Sequence, residues 1–208
     1  MRNTREVVVI LISVLGLALT VAVVLVLRAV TGCWLEARMI QAGNDGRQIY
    51  CTALDKVMGD PLEWYVPKGL LGYPRSEGPY GATSSTAYLR GLVTNEAMRV
   101  DFSYFALPGL ASCESSNPTD FQAENNAWCV VVDLDESCPP ETPFLFTRNL
   151  EIDRLGQDAV AAWSDNPPFG RRGVVVICRD GSMNTIRKEE ELAALFGDLS
   201  VTNRVLRP

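Results

Sequence analysis

The sequence predicts an α+β protein in which one long N-terminal helix packs on a small antiparallel sheet. Three observations carry this prediction: an uncharged apolar run over residues 7–27, an amphipathic helical pattern that continues to residue 58, and strand patterns within residues 100–208. Apolar residues at three- and four-residue steps indicate a helix, whereas strict alternation indicates a strand. We expect the sheet to bury the apolar stripe of the helix, because no other segment is large enough to do so.

The apolar run has the length of a membrane span. It holds 21 residues without a charge, and Glu6 and Arg28 bound it. At ~1.5 Å per residue the run covers about 31 Å, which matches the ~30 Å hydrocarbon core of a bilayer. A cleaved signal peptide is less favoured because its apolar core is usually ~7–15 residues long. A lipoprotein signal that would lipidate Cys33 is a second alternative, and Arg28 argues against it.

These features divide the chain into three parts. We expect a cytoplasmic tail over residues 1–6, a transmembrane anchor helix over 7–30 and a soluble domain over 31–208. The short tail and the disulfide-permissive cysteine content favour a domain that lies outside the cytoplasm.

The anchor helix is expected to continue into the domain over residues 31–58. One stripe of apolar or small residues recurs at helical spacing beyond the span, at Leu35, Met39, Ala42, Gly46, Ile49, Ala53 and Val57. Gly43 and Gly46 weaken this prediction by about 1 kcal/mol each relative to alanine. Gly59 and Pro61 supply the stop signal, because glycine accepts a left-handed cap and proline cannot continue a helix.

Shorter elements are expected in the remainder. After a loop rich in proline and glycine, Ser84 or Ser85 caps a short helix that runs to about residue 98. Strands are predicted from residue 100 to 106, at 128–134 and at 144–147. Residues 173–187 predict a hairpin closed by Asp180 and Gly181 in a type I′ turn, and 188–196 predict a short acidic helix.

Composition excludes several functions. Outside the anchor region, 16 basic and 24 acidic residues leave a net charge of −8, so nucleic acid is not an expected partner. The chain has no histidine, which excludes Ser-His-Asp and Cys-His catalysis and histidine-ligated zinc. A hydrolase with a Ser-Lys mechanism would need a Ser-x-x-Lys motif, and none is present. We therefore predict no enzyme activity and no catalytic, cofactor-binding or metal-binding residues.

The closest approach to a metal-binding motif is an acidic group at Asp133, Asp135 and Glu136. Calcium requires six to eight oxygen ligands in a defined geometry, and this group supplies far fewer. We interpret it as a solvated loop.

Six cysteines are dispersed through the chain without a C-x-x-C motif, at positions 33, 51, 113, 129, 138 and 178. Beyond a membrane anchor, this pattern predicts at least one disulfide, although several cysteines are also consistent with small buried apolar residues. The preferred pair is Cys113 with Cys138, because both lie in polar, proline-bearing loops around the strand that contains Cys129. Closing that 26-residue loop would add ~3 kcal/mol by restricting the unfolded chain.

Two segments resemble type IV pilin-like proteins, and specifically the pseudopilins of bacterial type II secretion. Residues 6–16 open with a glutamate followed by a helix rich in valine and isoleucine, as the start of a processed pilin does. Residues 174–183 resemble the closing hairpin with its Asp-Gly turn. The sequence departs from the family at residues 1–5, which lack the prepilin peptidase site, so we expect the N-terminus to be retained. It also has Gly170 where some related proteins have histidine.

The resemblance implies a structural subunit. In that family the N-terminal helix anchors the subunit in the bacterial inner membrane and later packs in the core of a filament, with the domain in the periplasm. Glu6 would correspond to the glutamate that pairs with the N-terminal amine of a neighbour. The expected partners are the lipid bilayer and other pilin-like subunits or secretion-system components. Two alternatives stay open: Glu6 as an ordinary charge at a helix N-terminus, and the protein as a membrane-tethered binding module without filaments.

Overall fold

The computed structural model confirms an α+β fold with one long N-terminal helix and a small antiparallel sheet. The structure describes residues 4–58, 73–76, 82–135, 137–157, 159–196, 199 and 201–208, without the side chains of 4–7, 10 and 56–58. The described helices are α1 (Thr4–Met58), α2 (Ser85–Thr94) and α3 (Glu189–Phe196). The described strands are β1 (Trp128–Val131), β2 (Pro143–Thr147), β3 (Leu150–Glu151), β4 (Ala162–Trp163), β5 (Val174–Cys178), β6 (Met183–Ile186) and β7 (Val205–Leu206).

The chain separates into two compact units, Met1–Ile40 and Gln41–Pro208, and α1 contributes to both. In the first unit, the described valine, leucine and isoleucine side chains from Val8 to Val30 are all exposed. By length and composition, α1 is able to cross a membrane. The hydroxyl of Thr20 needs no outside partner, because it donates to the carbonyl oxygen of Gly16 at 2.9 Å.

In the second unit, the last turns of α1 pack on the sheet. Ala42, Ile49 and Ala53 are fully buried, as the apolar stripe predicts. Gly46 lies at a close contact with the sheet: a Cβ atom there would stand 2.8 Å from Cγ1 of Ile177 and 3.0 Å from Cη2 of Trp128. The glycine that weakened the helix prediction is therefore required by the packing, because only a residue without a side chain lets the helix approach β1 and β5.

The main sheet has five strands in the order β6-β5-β2-β1-β7, and its neighbours pair antiparallel. Ile177 faces α1, whereas Phe146 on β2 packs edge-on against Phe196 of α3, with ring centroids 5.4 Å apart. Helices thus cover both faces. Residues in β1, β2 and β5 are buried throughout for this reason, and the strands read as continuous apolar runs rather than alternating ones.

The prediction for α2 is confirmed at its start. Ser84 is the N-cap, and its hydroxyl accepts a hydrogen bond from the backbone N–H of Ala87 at 3.1 Å. The helix stops at Thr94 rather than near residue 98, because Glu96 has a left-handed backbone with φ of +54°. A buried polar network ties α2 to the sheet: Ser85 Oγ donates to the carbonyl oxygen of Trp128 at 2.6 Å.

The strand predicted from residue 100 is wrong: the chain forms a short 3₁₀ turn over Phe102–Phe105. Both of these phenylalanines are buried, and both pack against Phe121, at centroid distances of 5.0 and 5.4 Å. In a strand, residues three apart point to opposite faces, so the two rings could not share one partner. One 3₁₀ turn aligns residues three apart and satisfies both contacts.

Two further elements carry no sequence signal. The β3–β4 pair and the C-terminal β7 contain two residues per strand, too few to show a period. Strand β7 nevertheless closes one edge of the main sheet, because Val205 and Leu206 pair with Val131 and Val130.

The close helix–sheet contact generates a testable prediction. Gly46→Leu places a side chain against Ile177 and Trp128, and we expect it to lower the free energy of unfolding by at least about 2 kcal/mol, because overpacking distorts a dense core. Urea unfolding of the detergent-solubilised chain, followed by circular dichroism, measures the change.

Gly91→Leu is the matched control. Gly91 also lies inside a helix, but only Nδ2 of Asn95 comes as near as 4.0 Å to a Cβ there. Leucine at this position should be neutral or stabilising by up to about 1 kcal/mol, since it favours helix more than glycine does. Equal destabilisation by both substitutions would contradict the close approach of α1 to the sheet.

Candidate functional site

The predicted Asp-Gly turn lies between β5 and β6, but its geometry differs from a type I′ turn. Of Asp180 and Gly181, only Gly181 has a positive φ, at +78°, whereas a type I′ turn requires both. The N–H of Gly181 donates to the carbonyl oxygen of Cys178, and the N–H of Cys178 donates to that of Ser182, both at 2.9 Å. These bonds define a three-residue loop with glycine in the left-handed position.

Helix α1 holds this turn in place. The hydroxyl of Tyr50 donates to the carbonyl oxygen of Arg179 at 2.8 Å, and Nε of Arg47 donates to that of Gly181 at 3.0 Å. Tyr73 Oη also donates to the Arg179 carbonyl, at 3.3 Å, and burial raises the pKa of Tyr73 to about 12. The turn is therefore a structural fastening between the helix and the sheet edge.

Asp180 has a local role within the turn. Its Oδ1 accepts a hydrogen bond from the N–H of Ser182 at 2.8 Å. Hydrogen bonds from Ser182 lower the pKa of the Asp180 carboxyl, because they stabilise its charged form. The carboxylate thus orders its own loop.

The substitution Gly181→Ala tests the turn. Its Cβ would lie 2.7 Å from Cε1 of Tyr50, and the left-handed backbone itself disfavours a side chain. We expect the free energy of unfolding to fall by about 1–2 kcal/mol. Urea denaturation measures it, with Asp180→Asn as the control, because asparagine keeps the oxygen that accepts from Ser182. Unchanged stability in Gly181→Ala would contradict the described turn.

The acidic group that follows β1 does not form a metal site among the residues that the structure describes. Asp133 has a left-handed backbone, with φ of +60°, and its Oδ1 accepts from the N–H of Ser76 at 3.1 Å. Asp135 Oδ1 accepts from the hydroxyl of Ser137 and from its N–H, the latter at 2.9 Å, and these two bonds lower the pKa of the Asp135 carboxyl. Both carboxylates are used to order their loop, and Glu136 lies outside the described residues.

A shallow polar depression of about 430 Å³ lies beside this loop, lined by Ser76, Asp133, Thr202, Asn203 and Arg204. The side-chain amide of Asn203 donates to the carbonyl oxygens of Val132 and Asp133, both at 2.9 Å. Asp133 and Asn203 are thus engaged with backbone groups of the protein, whereas the Arg204 side chain has no partner among the described residues. The depression offers no arrangement for acid–base or nucleophilic chemistry.

The structure has all six cysteines as free thiols, so the pair of Cys113 with Cys138 is not formed in it. The two sulfurs make separate local contacts: Cys113 with the carbonyl oxygen of Ser115 at 3.9 Å, and Cys138 with Oδ1 of Asp135 at 3.6 Å. Cys129 is fully buried, and burial raises the pKa of its thiol to about 12, which matches the role of a small apolar residue. Cys33 and Cys51 are exposed on α1.

The pairing of Cys113 with Cys138 stays a prediction for the protein in an oxidising compartment. Mass mapping of unreduced peptides should find the two joined, and reduction should release them as separate peptides. Detection of both as free thiols in protein taken from its membrane would remove the disulfide.

Two surfaces of α1 remain as candidates for function. The first, here called the anchor surface, comprises the exposed valine, leucine and isoleucine side chains from Val8 to Val30. The second is the buried face that packs on the sheet, and it is fully occupied. Glu6 belongs to α1, but its side chain lies outside the described residues, so its predicted pairing stays a prediction.

Comparisons with protein-family models, curated proteins and solved structures found no match. The pilin-like resemblance of the sequence therefore stays a prediction, and the function is argued from the described residues.

Proposed function

We propose that this protein is a single-pass membrane-anchored, pilin-like structural subunit of a bacterial type II secretion or pilus-type assembly. One observation carries the proposal: α1 is a single helix of 55 residues, whereas the average helix in globular proteins has about 11–12. A domain of this size needs only the last turns of such a helix for its core. The remaining length requires a different partner.

The chemistry of the anchor surface identifies that partner as apolar. Fifteen large aliphatic side chains between Val8 and Val30 are exposed on one helix. Leaving each of them in water instead of burying it costs about 1.5–3 kcal/mol. A surface of this kind is stable in a lipid bilayer or against the helices of other copies. A pilin-like subunit meets both settings, first in the membrane and later in the filament.

The fold of the second unit supports the same proposal. A helix that packs on an antiparallel sheet, with a hairpin fastened to it by Arg47 and Tyr50, is the layout that the sequence resemblance implies. Asp133 in the acidic loop and Asn203 in the polar depression are hydrogen-bonded to backbone groups of the domain, and this favours a structural role over catalysis.

Cross-linking between copies tests the proposal. Single cysteines placed along residues 7–27, in a chain with Cys33 and Cys51 replaced by serine, should give dimers with a helical period when the partner system is active in cells. The reason is that the anchor surface faces neighbouring copies in an assembly. A uniformly negative scan would favour a membrane-tethered binding module that forms no filament.

Glu6 supplies a second test. If its carboxylate pairs with the N-terminal amine of a neighbouring copy, Glu6→Ala and Glu6→Gln should both reduce cross-linking by about tenfold. Either substitution leaves that amine without its partner, and an unpaired charge is costly in an apolar setting. Membrane fractionation and the unfolding curve should be unchanged. Full cross-linking in both variants would assign Glu6 to an ordinary helix-terminal charge.

A further inference from the structure

Two arginines lie directly opposite each other at one edge of the folded domain. Arg154 and Arg204 form an antiparallel bridge, and both are exposed. Residues that face each other in such a bridge project their side chains to the same side, where like charges are unfavourable. In the part of the chain that the structure describes, neither side chain has an ion pair or hydrogen bond, although the chain as a whole is acidic. The fold thus keeps an uncompensated positive pair.

The arginine pair belongs to the β7 edge of the sheet. Arg204 immediately precedes β7, and Arg154 lies on the outer side of that strand, since the N–H of Val205 donates to the carbonyl oxygen of Asp153 at 2.9 Å. Arg204 also lines the polar depression, which leaves its guanidinium accessible from outside.

The opposite edge of the same sheet carries negative charge. Strand β6 forms that edge, and α3 begins three residues after it with Glu189, Glu190 and Glu191, the one run of three consecutive acidic residues in the sequence. The three are exposed. Glu191 accepts a hydrogen bond from the N–H of Arg187 at 3.3 Å, whereas Glu189 and Glu190 have no partner among the described residues. Four strand spacings, about 19 Å, separate the two edges.

We propose that Arg154 and Arg204 of one copy bind the carboxylates of Glu189–Glu191 of a second copy. The inference rests on the proposed function as a subunit. The two surfaces are different and lie on opposite edges, so each copy retains one free surface after pairing. Such a head-to-tail contact propagates into an open array or a ring rather than closing as a twofold dimer.

Each surface also carries charge of the other sign beside it: Asp153 near the arginines, and Arg187 and Lys188 near the glutamates. The contact therefore selects an orientation, because a shifted register would bring like charges together. Exposed ion pairs are weak and screened by salt, so the contact does not associate domains that are free in solution. Copies held in one membrane meet at a much higher effective concentration, at which a weak contact becomes occupied.

Charge exchange tests the contact in membranes that contain the full chain. In a chain with Cys33 and Cys51 replaced by serine, cysteines at Thr202 and at the exposed Ala193, carried by separate copies, report contact between the two edges through disulfide cross-linking. Arg154→Glu with Arg204→Glu should reduce the yield by about tenfold, and so should lysine at positions 189, 190 and 191. Cross-linking should return when one copy carries the arginine exchange with the cysteine at 202 and the other carries the glutamate exchange with the second cysteine. Arg99→Glu, at an exposed arginine elsewhere, should leave the yield unchanged.

The outcomes separate this contact from the proposed function. Restoration by the exchanged pair supports the contact, and it also shows that both variants are folded. Unchanged yields in the single exchanges, or failure of the exchanged pair to restore cross-linking, would overturn the contact. If cross-links along residues 7–27 persist in that case, the subunit proposal stands without it. If those cross-links are missing in the unaltered chain, both proposals fall.

Discussion

The contact between the end of α1 and the five-stranded sheet is the interaction on which the folded domain depends. At Gly46 the helix backbone comes so near to Trp128 and Ile177 that no side chain fits between them. Trp128 belongs to β1 and Ile177 to β5, so one helix position contacts two strands that are separated by β2. Because α3 covers the other face through Phe196 and Phe146, the central strands are buried on both sides. Their apolar composition follows from that layering.

The same helix presents two kinds of surface along its length. Its first part presents apolar side chains outward, and the hydroxyls of Thr20 and Thr31 donate to carbonyl oxygens of the helix itself, which suits a medium that offers no hydrogen bonds. Its last turns bury small residues that admit the sheet. The polar ends of the exposed Arg47 and the buried Tyr50 reach the carbonyl groups of the β5–β6 turn. Helix α1 thus contributes an apolar surface to the first unit and part of the packed core to the second.

Polar groups in the domain are used mainly to hold irregular backbone. Asp133, Asp135 and Asp180 each order a loop by accepting backbone N–H groups, and Asn203 supports the chain between β1 and β7. Loops of this kind lack the regular ladders of helices and sheets, so side chains must satisfy their backbone groups. The arginine pair at positions 154 and 204 is different, because its charges satisfy nothing within the described protein. That contrast is the reason to look for its partner outside the single chain.

The sequence by itself determined the features that depend on local pattern. Some features could be predicted because a local period or a capping residue in the sequence indicates each of them. They are the uncharged run, the stripe from Met39 to Ala53, the Ser84 cap and the strands around Trp128 and Val175. Only the tertiary structure decided the rest. Phe102 and Phe105 form a 3₁₀ turn rather than a strand because both rings pack on the distant Phe121. Gly46 is a packing requirement rather than a weak point, and Arg154 meets Arg204 across fifty positions of sequence. No local pattern records such pairings, because they are set by which segments the fold brings together.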